Sequence, residues 1–131
     1  MCRILASALV FCLIGILSAC DDSRGRDYYT RMAVKGLATA PAGKERMQMG
    51  KVVAKGSHAL PDIEQEFHSA DPGGRRLLLE ALERLKDRRA LAFVQYVARW
   101  DEDPKVRKEA SRVSRTLESL KAGSPSSGSP E

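Results

Sequence analysis

Trp100-Asp101-Glu102-Asp103-Pro104-Lys105-Val106-Arg107 separates two stretches of helical periodicity. Upstream, Leu91, Val94, Val97, Ala98 and Trp100 recur at the three- and four-residue spacing of one helix face. Downstream, Ala110, Val113 and Leu117 do the same. The residues between them carry the stop and the restart. Aspartate at an N-cap accepts a backbone N–H that the first helical turn leaves unpaired, and it sets negative charge against the positive end of the helix dipole. Proline suits the first helical position, where its missing N–H costs nothing. This stretch therefore predicts helix, short turn, helix.

The same punctuation recurs outward along the chain. Ala40-Pro41-Ala42-Gly43-Lys44 and Asp71-Pro72-Gly73-Gly74-Arg75 precede Asp103-Pro104-Lys105-Val106-Arg107, with prolines 31 and 32 residues apart. Six residues after each proline come Met47, Leu78 and Ala110; nine after, Gly50, Ala81 and Val113; thirteen after, Ala54, Leu85 and Leu117. These offsets share one helix face, so each proline is expected to open an amphipathic helix with the same buried side. A second helix precedes each proline. One has Leu91, Val94, Val97 and Ala98, with Asp87 as its cap; one has Leu60, Ile63 and Phe67, with Ser57 as its cap and Pro61 in the first turn; the earliest has Tyr28, Tyr29, Met32 and Leu37. The expected helices lie near 27–38, 43–55, 58–69, 72–86, 89–101 and 104–120, with no alternating strand pattern. The expected core is Phe67, Leu78, Leu82, Leu85, Leu91, Val94, Val97, Val113 and Leu117.

Helix, Asp-Pro-x-x-Arg turn, helix, repeated every 31 or 32 residues, resembles the HEAT-repeat family. It is most similar to the short form also found in phycobilisome lyase repeats. Residues 93–120 carry the closest likeness, residues 60–88 a lesser one, and residues 28–55 the faintest. Gly73-Gly74 departs from the pattern, where an aliphatic residue is usual. The resemblance implies an all-α chain, a short α-solenoid of about three helical hairpins over residues 27–121. It also implies a structural role for Asp71, Pro72, Arg75, Asp103, Pro104 and Arg107 in tying neighbouring repeats together. Three repeats is near the minimum, because each unit buries its face only against a neighbour.

The beginning of the chain reads as an address. Arg3 is followed by an uncharged apolar run over residues 4–16, then Leu17-Ser18-Ala19-Cys20 and Asp21-Asp22. A basic start, a short apolar run and small residues at a cleavage point form a secretory signal peptide. The run is too short for a spanning helix, which needs about 20 residues; an uncleaved signal anchor is the alternative. Leu17-Ser18-Ala19-Cys20 resembles the lipobox of bacterial lipoproteins. That likeness implies cleavage between Ala19 and Cys20 and covalent lipid on Cys20. Residues 1–19 are then a lipoprotein signal peptide, 20–26 the lipidated cysteine and its tether. Asp21, with Asp22, resembles the signal that retains enterobacterial lipoproteins at the inner membrane; a merely polar start to the tether is the alternative. Residues 122–131, rich in Ser, Gly and Pro, are expected to be disordered, as a spacer or a plain chain end.

Composition narrows the rest. A chain of 131 residues holds one small domain. Cleavage removes Cys2 and Cys12 and lipidation blocks Cys20, so no thiol is left for a disulfide, a nucleophile or a metal. The mature chain keeps 21 basic and 17 acidic residues, a net charge of +4. His58 and His68 lie ten apart without the three or four ligands a metal needs. No metal and no cofactor are expected beyond the lipid. Glu64, Glu66, Glu80 and Glu83 leave a carboxylate dyad open, although charge on an amphipathic helix is ordinarily solvated. Gly73-Gly74 lacks the strand and the Gly-Lys-Ser/Thr ending of a phosphate loop, and Ser57-His58, as neighbours, lack triad geometry.

Arg76, Lys108, Arg112 and Arg115, with Lys105 and Arg107, form a possible basic binding face along the second helices of the repeats. Such a face attracts anionic partners; outside the cytoplasm these are an acidic protein or lipid head groups and not nucleic acid. A solvated face partly neutralised by Glu80, Glu83, Glu109 and Glu118 is the plain alternative. The expectation is a non-catalytic, membrane-anchored envelope lipoprotein that presents a protein-interaction module to an envelope protein. No small-molecule substrate is identified. The alternatives are an enzyme or enzyme accessory of the lyase kind, and a structural envelope protein that contacts anionic lipid through its basic face.

Overall fold

Three acidic residues start helices and turns in the folded chain. The computed structural model describes the backbone of residues 23–122 and the side chains of 28–120. The expected signal peptide over residues 1–19, Cys20, Asp21, Asp22 and the tail beyond Ala122 lie outside the described residues. Asp71, in extended conformation, accepts the N–H of Gly74 at 2.6 Å and opens α4 (Pro72–Leu85). Asp103 accepts the N–H groups of Lys105 and Val106 at 2.7 and 3.1 Å and opens α6 (Pro104–Ala122). Asp87 accepts the N–H of Arg89 at 2.9 Å and opens the 3₁₀ turn Arg88–Ala90, which runs into α5 (Leu91–Trp100). Both Asp-Pro prolines therefore sit where the first-turn N–H groups have no intrahelical partner.

The remaining elements are α1 (Ser23–Ala38), α2 (Glu45–Val53), the 3₁₀ turn Gly56–Ala59 and α3 (Leu60–Phe67). Among the described residues there are helices and turns but no strand. The chain is all-helical. α1 packs on α2, α3 and α4; α2 packs on α4; α3 packs on α4; α4 packs on α6; and α6 packs on α5. Phe67 and Phe93 meet edge to face at 5.3 Å and tie α3 to α5. One apolar core runs through all six α-helices of the described residues, from Val34 and Leu37 through Leu78, Leu79 and Leu82 to Val94, Val113 and Leu117, all fully buried. Each such side chain contributes roughly 1.5–3 kcal/mol by leaving water. Leu85 and Leu91, also expected inside, are only partly buried at the core's edge.

The first helix pair departs from the expected register. α2 starts at Glu45, four residues after Pro41. Ala40 supplies no cap, and Pro41–Lys44 form a turn instead, with Gly43 at φ +90° and Lys44 N–H bonded to Pro41 O at 3.0 Å. Met49 and Val52 consequently face the core, whereas Met47, Gly50 and Ala54 are exposed. In α1 the buried face is Thr30, Val34, Leu37 and Ala38, and Tyr28, Tyr29 and Met32 point outward. α1 packs against three helices at once, and the small Ala33, Val34 and Ala38 allow an approach that tyrosines at the same positions would block. Trp100, expected on the buried side of α5, is 70% exposed, since the helix ends there and the core closes at Val97. Ser57 does not cap a helix: its hydroxyl donates to Asp87 at 2.6 Å, across to the next helix pair.

The departure at Gly73-Gly74 has a steric cause. A Cβ on Gly74 would fall 2.3 Å from the carbonyl oxygen of Ala38, at the end of α1. The start of α4 thus lies directly on the end of α1, and no side chain fits between them. At the matching position of the last pair, Val106 has room and is fully buried.

Candidate interaction surface

The cations of α6 recur at positions 105, 108, 112 and 115, the spacing of one helix face. The packing of α4 on α6 brings Arg76 beside them. Arg76, Lys105, Lys108, Glu109, Arg112 and Arg115 together line one open depression of about 490 Å³. All four residues of the expected basic face are brought together there, with Lys105 added.

Their charges are not equivalent. Arg112 grips Glu83 of α4 through two hydrogen bonds of 2.7 Å and Glu109 of its own helix at 2.6 Å. Thr116 donates to Glu83 as well, at 3.1 Å. These bonds, the Arg112 hydrogen bond first, hold the Glu83 carboxyl below its usual range, and the two carboxylates raise Arg112 in turn. Arg112 therefore clamps α4 to α6 and its charge is neutralised locally. Among the described residues no carboxylate lies within ion-pair distance of Arg76, Lys105, Lys108 or Arg115. Four cations without a direct ion pair therefore ring the depression, with Glu109 among them and Asp103 acting on Lys105 from a distance.

The repeat-motif arginines work at the joints. Arg75 of α4 reaches past its own turn to Asp101, just after α5, at 2.8 Å. Asp101 is almost fully buried and Arg75 largely so. Asp101 also accepts the N–H of Asp103 at 2.9 Å. Arg107 donates to the carbonyls of Asp101 and Glu102, at 2.6 and 3.1 Å, and so closes the turn from the other side. The carboxylate that joins one helix pair to the next is thus Asp101. Asp103, singled out in the sequence for that joining, only caps α6. Nothing in the spacing separates the two aspartates; only the reach of Arg75 across the packed helices does.

A second concavity, of about 280 Å³, adjoins this joint. Phe67, Phe93, Tyr96 and Trp100 line it, and Tyr96 and Trp100 are 58% and 70% exposed. Exposed aromatics beside a charged pair are the composition of protein-interface hot spots. Spacing alone sets Trp100 on the apolar side of α5 and does not single out Tyr96, so this surface is not read from the sequence.

Glu66 and Glu80, two of the candidate carboxylates, line a further open depression of about 730 Å³ with Glu45, Asp71, Arg76 and Glu109. His58 and His68 are both exposed. Glu80 pairs with Arg84 at 2.7 Å, and Glu83 is held ionised by Arg112, the opposite of what a proton-donating member of a carboxylate dyad needs. Among the described residues no group of three or more His, Cys, Asp and Glu is disposed to hold a metal, and no helix is long and apolar enough to cross a membrane. No protein-family profile matches the chain, and neither a curated protein nor a solved structure shows a significant match to it.

Proposed function

We propose that this chain is a bacterial envelope lipoprotein, anchored through lipid on Cys20, whose helices form a short HEAT-like solenoid that docks an acidic envelope protein. The observation that carries the docking role is the depression on α4 and α6, ringed by Arg76, Lys105, Lys108 and Arg115, none of which makes a direct ion pair among the described residues. Fixed cations around a concave surface favour an anionic partner and speed its approach. Trp100 and Tyr96 offer the apolar anchors that such an interface uses.

The solenoid reading is supported by the order of contacts. The second helices touch in sequence, α2 on α4 and α4 on α6, while α1 touches α3 and Phe67 of α3 touches Phe93 of α5. Each helix pair thus meets its neighbours along the chain, as repeat units do. The lipoprotein reading rests on Leu17-Ser18-Ala19-Cys20, with Asp21 favouring the inner membrane. An anchor confines the module to the surface where membrane-bound partners are and raises their effective concentration. No chemistry on a substrate is part of this reading.

The test is crosslinking in intact envelopes, wild type beside the Lys105→Glu/Lys108→Glu/Arg115→Glu variant. The reading expects one acidic protein to crosslink to wild type, less so at high salt, and to be lost in the variant while the helical signal is unchanged. A crosslinked partner that persists through the charge reversal contradicts it. If the variant instead loses only its adhesion to anionic vesicles, the same face serves lipid, and the structural-envelope reading replaces the adaptor.

A further inference from the structure

The outer side of the first helix pair carries most of the large apolar side chains exposed among the described residues. Tyr28, Tyr29, Met32 and Met47 are 59%, 67%, 50% and 53% exposed, four of the six large apolar side chains exposed among the described residues. Tyr29, Met32, Ala33 and Gly36 of α1 face Gln48 and Lys51 of α2 and Lys55 just after it across a shallow groove. Met47 lies one turn before Lys51, on the same side of α2 by helical spacing. Tyr28 and Tyr29 meet edge to face at 5.7 Å. Lys35, Lys51 and Lys55 have no carboxylate within ion-pair distance among the described residues, and Arg31 reaches Asp62 only at 3.6 Å. The patch is thus aromatic and thioether in the middle and cationic at its margin.

We infer that this α1–α2 face lies on an anionic bilayer surface and fixes the orientation of the whole domain. The inference rests on the lipid-anchor reading of Cys20 and deepens it. Helix α1 starts at Ser23, three residues beyond Cys20. Three extended residues span at most about 11 Å, and the six helical steps from Ser23 to Tyr29 add about 9 Å. Tyr29 therefore stays within about 20 Å of the lipid-bearing sulfur. A side chain so tethered can reach the head groups, a zone several ångströms deep on each side of a bilayer. Tyrosine suits that zone, with its ring toward acyl chains and its hydroxyl in water. Lysines at the margin suit anionic head groups. Arg24 and Arg26, in the sequence just before, add charge of the same sign.

The consequence is directional. α6 touches α4 and α5 but has no substantial contact with α1 or α2. With the outer side of α1 and α2 laid on the membrane, the cationic depression on α4 and α6, which shares no lining residue with the α1–α2 groove, stays open to a partner in the aqueous space. The acyl chains supply the affinity; the tyrosine face supplies the pose.

The experiment uses the membrane-extracted mature protein, reconstituted into phosphatidylcholine–phosphatidylglycerol vesicles. Tyr29→Cys and, as a control of similar exposure, Tyr96→Cys each provide the single free thiol for an environment-sensitive fluorophore. The inference expects the label at position 29 to shift to the blue and to be quenched by nitroxide-bearing lipid. The label at position 96 stays water-like. Adding Lys51→Glu/Lys55→Glu lessens the quenching at 29. A water-like label at 29 on acylated protein overturns the inference and leaves the anchor reading intact. A blue-shifted label at 29 that lipid nitroxides do not quench also overturns it, since a second copy or another protein then covers the face. Intact mass of the same samples reads the anchor separately: an unacylated Cys20 overturns the anchor whatever the labels show.

Discussion

Asp101 is the residue on which the joint between the last two helix pairs turns. Its carboxylate is buried, takes the Arg75 guanidinium at 2.8 Å and accepts a backbone N–H from Asp103 at 2.9 Å. Replacing it leaves a largely buried arginine unpaired, so Asp101→Ala is expected to lower stability by about 2–3 kcal/mol, read from the urea midpoint. Asp101→Asn keeps an acceptor for the Asp103 N–H and loses less. A midpoint unchanged in Asp101→Ala contradicts this account of the joint. Two adjacent glycines give a sharper contrast. A Cβ at Gly74 collides with Ala38 O at 2.3 Å, whereas one at Gly73 meets nothing closer than 3.6 Å. Gly74→Ala is expected to cost about 1–3 kcal/mol through displaced backbone, and Gly73→Ala to be neutral or to stabilise by up to about 1 kcal/mol as a better helix former. Equal effects at the two positions contradict the packing of α4 on the end of α1.

At the scale of elements, the loss of stability in acid comes from carboxylates at turns and between helices. Asp87 and Asp103 are held below their usual 3.8 and Glu83 below its usual 4.5. For Asp87 the largest cause is the Arg89 hydrogen bond, for Asp103 the bond from the Val106 N–H, and for Glu83 the bond from Arg112. With folded values depressed, the unfolded chain binds more protons in acid, so stability rises with pH there. Their contribution is complete above the usual values and is lost as pH falls through the lower folded ones. Urea midpoints are therefore expected to be level from neutral pH down to about 5 and to drop below about 4. Asp103→Ala should lower the urea midpoint at neutral pH, as loss of a cap does, and flatten the acid limb. These elements were the most legible ones in the chain. Asp71-Pro72 and Asp103-Pro104 are local signals, readable because cap and proline chemistry acts within four residues. The start of α2 was not legible from Pro41, since Ala40 provides no cap and the helix waits for Glu45, whose carboxylate accepts the Gly43 N–H at 2.7 Å. The outward turn of Tyr28, Tyr29 and Met32 was hidden for another reason. Apolar periodicity identifies a face, but only the packing of α1 against three helices decides that the smaller side chains go inside. Of the interaction surface, the cationic stripe could be read from spacing. The partners Glu83 and Glu109 that neutralise Arg112, and the reach of Arg75 to Asp101, come from helices brought together by the fold.

The whole molecule carries two separate surfaces, an apolar, lysine-edged face on α1 and α2 next to the proposed anchor and a cationic depression on α4 and α6. Binding and folding should therefore separate cleanly by mutation. Trp100 is 70% exposed, so Trp100→Ala is expected to leave the thermal midpoint within a few degrees of wild type while weakening capture of the acidic partner by tenfold or more, the size of an interface hot spot. Loss of folding in that variant contradicts its assignment to the surface. Every larger claim depends on the covalent state of Cys20, and the intact mass of membrane-extracted protein, wild type beside Cys20→Ser, tests it most directly. The account predicts a wild-type chain that begins at Cys20 and carries two or three acyl chains, and a variant that carries none. A wild-type chain that begins at Met1 without lipid contradicts it.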